Sequence, residues 1–230
     1  MKVIVFDMDD TLYDEYTYVR SGFYEVASFL SSQIRVNPES LFEWMWQRLQ
    51  SSGRGAIFDD LLKEFDCYSK KLARKCLSVY RFHNPEISLS KEAVFCLEQL
   101  KDFPLYLVTD GNKIVQHKKA QALGLYERMK HCYITHRYGV ERAKPSPYCF
   151  LHLLKKENVE AADVVYIGDN PTKDFVGIKP LGFRTIRVMI GQHKEIKVAP
   201  EYEAEFNINS LTELPMTLVK IWPEIKEVIQ

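Results

Sequence analysis

Four short stretches hold the residues whose types and spacing could do chemistry: "DMDDT" at 7–11, "TDG" at 109–111, "KP" at 144–145 and "GDNPTKD" at 168–174. The first is the oddest. Asp7, Asp9 and Asp10 put three carboxylates into four positions, directly after the apolar run "VIVF" at 3–6. Carboxylates so close repel one another and disfavour strand structure, so the spacing asks for something that compensates them. Taken singly, each stretch is commonplace. "D-x-D" occurs by chance, "T-D-G" is an ordinary turn, and a Lys before Pro is a frequent surface pair. Their value lies in what would bring them together.

The elements that must do so are β-rich apolar runs at 2–6, 104–109, 132–135, 163–168, 183–188 and 204–208. Helical patterns at about 90–101, 112–123, 146–157, 172–181 and 210–219 fall between or after them. Short apolar runs flanked by helices read as parallel strands buried on both faces. The alternation predicts an α/β fold, a doubly wound parallel sheet with a Rossmann-like core. In such sheets ligands bind outside the carboxyl ends of the strands. Each of the four stretches follows one of the first four strands, so all four point to the same sheet edge.

One connection breaks the rhythm. No convincing strand occurs between residues 12 and 103, about ninety residues where ordinary connections take roughly 2–6. The segment reads as helices at about 15–34, 38–51, 57–66 and 69–83. "NPES" at 37–40 starts one with Pro at its first position, and "SSGRG" at 51–55 and "HNPEIS" at 83–88 punctuate the rest. This predicts a core of residues 1–14 and 88–230, with an all-helical cap domain of residues 15–87 inserted above the end of the first strand.

Composition narrows the function. Of 230 residues, 46% are hydrophobic, and 31 basic residues balance 31 acidic ones, so no net charge draws the chain to nucleic acid or an anionic membrane. Locally, residues 113–156 carry ten Lys or Arg against Glu127 and Glu141 alone, which reads as a solvated basic face or as attraction for a small anion. Five scattered cysteines without a C-x-x-C pair suit reduced thiols. His117, His131, His136 and His152 lack metal-ligand spacing and read as structural. With too few apolar residues before Asp7 for a signal peptide and no membrane-length run, the chain is expected to be soluble and cytoplasmic, a monomer or homodimer.

Together, "DMDDT", "TDG", the Lys before "PSPYCF" and "GDNPTKD" resemble the four motifs of the haloacid dehalogenase superfamily, in its helical-cap subclass. The resemblance covers essentially the whole chain. It is similar to the branch holding sugar-phosphate, nucleotide and N-acylneuraminate 9-phosphate phosphatases, with pyrimidine-nucleotidase-like members. The resemblance implies that Asp7 and Asp169 hold Mg²⁺ through side-chain oxygens and Asp9 through its backbone carbonyl. Asp174 would be a further ligand or an anchor beside them. A hard cation with oxygen ligands fits such a set. Asp7 would be the nucleophile, giving an aspartyl-phosphate. Asp9 would protonate the leaving oxygen and then take a proton from water. Thr109, with the neighbouring Asp110 and Gly111, would bind phosphate, and Lys144 would neutralise it.

The partner is then a small phosphorylated metabolite, a sugar phosphate being favoured. A halide leaves without a proton, so the acid at Asp9 argues for a phosphate ester over a haloacid. A phosphosugar mutase, a nucleotide 5′-phosphatase and a non-catalytic Mg²⁺- and phosphate-binding regulatory domain stand as alternatives. Two departures from the family pattern bear on the site. Asp110 stands where relatives often have Asn, which adds negative charge unless its side chain turns away. The loop before Lys144 is two residues longer than the pattern and is expected to bulge. In the cap, Trp44 and Trp46 cannot share one helix face. Arg54, flanked by glycines, could clamp a substrate carboxylate or a second phosphate.

Overall fold

The structure is a computed structural model and describes residues 1–229. The six predicted strands all form, as β1 (Val3–Phe6), β2 (Leu105–Thr109), β3 (His131–Ile134), β4 (Val164–Gly168), β5 (Arg184–Val188) and β6 (Phe206–Ile208). They make one parallel sheet in the order β3-β2-β1-β4-β5-β6. β1 pairs with β2 on one side, Ile4 opposite Leu105, and with β4 on the other, Val3 opposite Val164. The chain reverses its direction of winding at β1, which is the switch point where such sheets open a crevice. All of β1, β2 and β4 is buried, as expected of strands covered by helices on both faces.

The chain forms two compact units, Met1–Glu15 with Ser88 onward, and Tyr16–Ile87. In the first, Phe150 anchors one face of the sheet, edge-on to Tyr166 at 4.8 Å and to Phe183 at 5.7 Å. Phe150 is fully buried, so Phe150→Ala removes contacts that no neighbour can replace, at about 3–5 kcal/mol. The unit's α-helices are α5 (Lys91–Gln99), α6 (Lys113–Ala122), α7 (Leu125–Arg128), α8 (Tyr148–Glu157) and α9 (Leu214–Ile221). α6 begins immediately after the "TDG" turn because Asn112 caps it, its side chain accepting from the Ile114 and Val115 N–H groups.

The second unit is all-helical: α1 (Glu15–Ile34, its first residue in the core unit), α2 (Pro38–Ser52), α3 (Ile57–Glu64) and α4 (Lys70–Phe82). Val19, Phe23, Val26 and Leu30 recur at helical spacing on α1 and are buried, as are Leu41, Met45 and Leu49 on α2. Asn37 caps α2 and Ser69 caps α4 through side-chain oxygens. Of the two tryptophans, Trp46 joins a stack with Phe42 (5.9 Å) and Tyr24, which lies flat on Phe42 at 4.0 Å. Among the described residues no helix is long and apolar enough to cross a membrane, and all five cysteines are free.

One predicted element fails. Residues 172–181 form no α-helix, only successive tight turns and a short 3₁₀ segment, Lys179–Leu181. Gly177 runs so close to the Pro145 carbonyl that a Cβ would collide with it, and Pro180 has no N–H to donate. The backbone bonds from Ile178 and Leu181 reach back only three residues, to Phe175 and Ile178. At the other end, the predicted 210–219 helix starts later, with a 3₁₀ turn at Leu211–Glu213 leading into α9.

Candidate active site

Two buried lysines organise the carboxyl edge of the sheet. The first is Lys144. Its ammonium donates to Asp7 Oδ1 at 2.9 Å, to Asp174 Oδ1 at 2.7 Å and to the Tyr166 hydroxyl at 2.8 Å, which uses all three of its protons. Asp7 prolongs β1, its N–H donating to the Ile167 carbonyl at 2.8 Å. Asp174 is turned in by the Asn170 N–H, which donates to its Oδ2 at 2.9 Å. A side chain at Gly168 would collide with that carboxylate, which accounts for glycine at the end of β4. The two residues beyond the family spacing do bulge, into an exposed 3₁₀ turn at Val140–Arg142, and Lys144 still reaches Asp7.

Asp7, Asp169 and Asp174 each place a carboxylate oxygen within 4.8 Å of the other two, and all three residues are buried. Burial pushes the Asp7 carboxyl well above the ordinary range; Lys144 opposes the shift, and Asp174, Asp169 and Asp9 reinforce it. Asp169 is pushed up to about 6, chiefly by burial, although a hydrogen bond from His193 (2.7 Å) works against it. Burial acts to discharge Lys144, but Asp174 and Asp7 outweigh it and hold its pKa well above the usual value. One ammonium among three buried carboxylates leaves surplus negative charge. An all-oxygen donor set of this kind fits a hard divalent cation.

The second lysine is Lys119, on α6 and 2% exposed on its side chain. It donates to Asp9 Oδ1 at 2.7 Å and to Glu15 at 3.1 Å. The Tyr13 hydroxyl also donates to Asp9 Oδ1 (2.6 Å), and the Gln116 amide to Asp9 Oδ2 (2.7 Å). The same Gln116 nitrogen donates to Thr109 Oγ1 at 2.7 Å. Burial again acts to discharge Lys119, and Asp9 and Glu15 outweigh it.

Between these groups lies a cavity of about 130 Å³. At about 30 Å³ per water it has room for an ion or a phosphoryl group, not for a whole metabolite. Asp7, Asp9, Asp110, Lys144, Asp169 and Asp174 border it; Thr109 and Gly111 do not, and Thr109 is fully buried. Asp110 is tied back: its Oδ1 accepts from the Thr135 hydroxyl (2.6 Å) and from the Lys144 N–H (3.0 Å), and its Oδ2 lies 3.6 Å from Lys173. The extra carboxylate therefore anchors the loop that carries Lys144. Arg54 belongs to the helical unit, where it borders a separate cavity of about 500 Å³ walled by Val19, Phe23 and Phe58.

Sequence reasoning missed Tyr13, Gln116, Lys119, Tyr166, His193 and Arg187. Arg187 is fully buried at the end of β5 and donates to the carbonyls of Asp169, His193 and Ile196, which holds the loop around His193 in place. Lys119 and Lys144 sit inside the basic stretch that read as a solvated face or as attraction for a small anion, and both are buried. The available signal was helical spacing: Gln116 and Lys119, three apart just after the "TDG" turn, share a helix face.

The haloacid dehalogenase-like hydrolase family matches residues 1–182. A glyceraldehyde 3-phosphate phosphatase of Methanocaldococcus jannaschii is 30% identical over 223 residues, spanning 93% of this chain and 95% of the relative. The N-acylneuraminate-9-phosphatase of Rattus norvegicus is 22% identical, over 96% and 95% of the two chains. Among solved structures, the Bacillus subtilis HAD-hydrolase YfnB bound to magnesium superposes with a TM-score of 0.66 at 21% identity, over 94% of this chain and 98% of that one; at that identity the likeness speaks for the fold.

Proposed function

The chain belongs to the haloacid dehalogenase-like hydrolases and is a phosphoric monoester hydrolase, and from that premise we propose that Asp7 attacks the phosphorus of a small sugar phosphate with Mg²⁺ bound beside it. The observation that carries this reading is the convergence of Asp7, Asp169 and Asp174 around a single buried ammonium, with Asp9 on the rim of the same cavity. Asp7, Asp169, Asp174 and the Asp9 carbonyl would hold Mg²⁺, which would supply the charge that lets an anionic nucleophile approach an anionic phosphate.

The residues of the chain do the rest. In the first half-reaction an Asp7 oxygen bonds to phosphorus, the ester P–O bond breaks, and Asp9 gives its proton to the leaving oxygen. In the second, Asp9 takes a proton from water, whose oxygen bonds to phosphorus and releases Asp7. Lys144 and the backbone of Asp110, which border the cavity, balance charge on the phosphoryl oxygens and orient them, while Thr109, buried behind the cavity, accepts from Gln116. Relatives named for glyceraldehyde 3-phosphate and N-acylneuraminate 9-phosphate support a sugar phosphate as substrate. The five free thiols suit a reducing cytoplasm. We assign substrate choice in part to Arg54, so that Arg54→Ala lowers kcat/KM on the best substrate about tenfold; an unchanged value removes the assignment.

The test is phosphate release from a panel of phosphorylated sugars, nucleotides and acids, with Mg²⁺ or with EDTA, by wild type and Asp7→Asn. Mg²⁺-dependent turnover that falls about 10⁴-fold in Asp7→Asn supports the reading. Turnover that survives Asp7→Asn contradicts it.

A further inference from the structure

We propose that Lys119, Gln116 and Tyr13 are positioning residues that orient the Asp9 carboxyl for proton transfer through Oδ2; the inference rests on the phosphatase reading above. Asp9 is held from both sides. Tyr13 and Lys119 donate to Oδ1 at 2.6 and 2.7 Å, and Gln116 donates to Oδ2 at 2.7 Å. A buried ammonium is costly unless it is paired and hydrogen-bonded. Lys119 meets that condition at Asp9 and Glu15, so its burial and the orientation of Asp9 are linked.

The geometry distinguishes the two oxygens. Oδ1 accepts from two donors, one of them a cation, and negative charge collects there. Oδ2 accepts from one neutral amide and keeps a lone pair, so Oδ2 is the oxygen through which a proton can be exchanged with substrate. Gln116 in turn cannot swing freely. Its Nε2 carries two hydrogens, and one goes to Asp9 Oδ2 and the other to Thr109 Oγ1. Asn112 sets where α6 begins and therefore where the shared face of Gln116 and Lys119 points.

The consequence is chemical. When Asp7 displaces an alkyl ester, the breaking P–O bond leaves an alkoxide that needs a proton through Oδ2. That transfer requires about 2.6–3.2 Å between heavy atoms. A carboxyl freed to rotate misses that window. A nitrophenolate leaves as a stable anion and needs no proton. Loss of orientation must therefore cost activity according to the leaving group, whereas loss of packing would cost both esters alike.

The experiment compares kcat/KM for glycerol phosphate and for p-nitrophenyl phosphate, at saturating Mg²⁺, in wild type, Lys119→Met and Tyr13→Phe. kcat/KM is the right quantity because it reports on the steps through the first phosphoryl transfer. Lys119→Met is expected to lose about 100-fold on glycerol phosphate and less than about 5-fold on the nitrophenyl ester, the scale of general acid catalysis. Tyr13→Phe removes one oxygen and keeps the ring; it is expected to show the same selectivity at about 5- to 10-fold, and it decides the matter should Lys119→Met not fold. Equal losses on both esters, or none, overturn the proposal while wild-type turnover leaves the phosphatase reading standing. No phosphate release by wild type from either ester overturns both.

Discussion

Lys144 and Lys119 are each a buried ammonium set between two carboxylates, and the two settings differ in what surrounds them. Lys144 answers Asp7 and Asp174, and Asp169 beside them is met by the His193 imidazole, so the cluster sets three carboxylates against one ammonium. Lys119 answers Asp9 and Glu15, and Tyr13 and Gln116 complete the hydrogen bonds of Asp9. The first arrangement is short of positive charge and suits capture of a cation and a phosphoryl group. The second is already satisfied and suits holding one carboxyl still. Asp7 and Asp9, proposed as nucleophile and acid–base residue, stand two positions apart in the chain, yet they are built on opposite electrostatic principles.

The largest expected effect separates the two directly. Lys144→Met strands buried carboxylates and should cost about 3–5 kcal/mol of stability in denaturant titrations without metal, whereas Lys119→Met strands the partly buried Asp9 and Glu15 and should cost less. Mg²⁺ should restore a substantial part of the loss in Lys144→Met, because the carboxylates left behind can ligate it, and little in Lys119→Met. Equal rescue of both variants would break the comparison.

A middle-sized effect concerns the anchor of the Lys144 loop. Burial alone would raise the Asp110 carboxyl, but hydrogen bonds from the Thr135 hydroxyl and the Lys144 N–H, with the charges of Lys144 and Lys173, hold it below its ordinary value of 3.8. A depressed folded-state value contributes stability that is present above the ordinary pKa and is lost as pH falls through the folded one. Asp110→Ala should therefore cost about 1.5–3 kcal/mol at neutral pH, with the gap to wild type closing only below about pH 4. A gap independent of pH would show that its charge does not matter.

The smallest effect belongs to the cap of α6. Asn112→Ala should cost about 1 kcal/mol. By loosening the helix that carries Gln116 and Lys119, it should lower kcat/KM on alkyl phosphates more than the affinity for Mg²⁺. A change in Mg²⁺ affinity of the same size would blur the two settings.

Much of this was legible in the sequence, for a physical reason. Strands buried on both faces need continuous apolar runs, and each run here ends abruptly in polar residues, so "VIVF" followed by Asp7 and "VVYIG" followed by Asp169 could be read locally. The helix start at Pro38 was readable from capping chemistry. Pairings across long separations were not. Nothing near Lys119 indicates Asp9, 110 residues away, and composition left Lys119 undistinguished within a basic stretch, whereas Lys144 stood out through its motif. The 172–181 segment misled because its residues allow a helix, while Gly177 packs against the Pro145 carbonyl and Pro180 withholds a donor. Asp110 read as part of the phosphate loop; that its side chain is spent on Thr135 and the Lys144 backbone depends on contacts with segments 25 and 34 residues away.

The most direct test of the central claim is to trap the covalent intermediate. Enzyme mixed with a radiolabelled phosphate ester and Mg²⁺ would be quenched in acid within one turnover and mapped by peptide mass spectrometry, using wild type and Asp9→Asn. The account predicts one phosphoryl group on the peptide carrying Asp7, and more of it in Asp9→Asn with a nitrophenyl ester, because the water that clears it lacks its base. Label on another residue, or steady turnover with no labelled enzyme in either protein, would contradict the account.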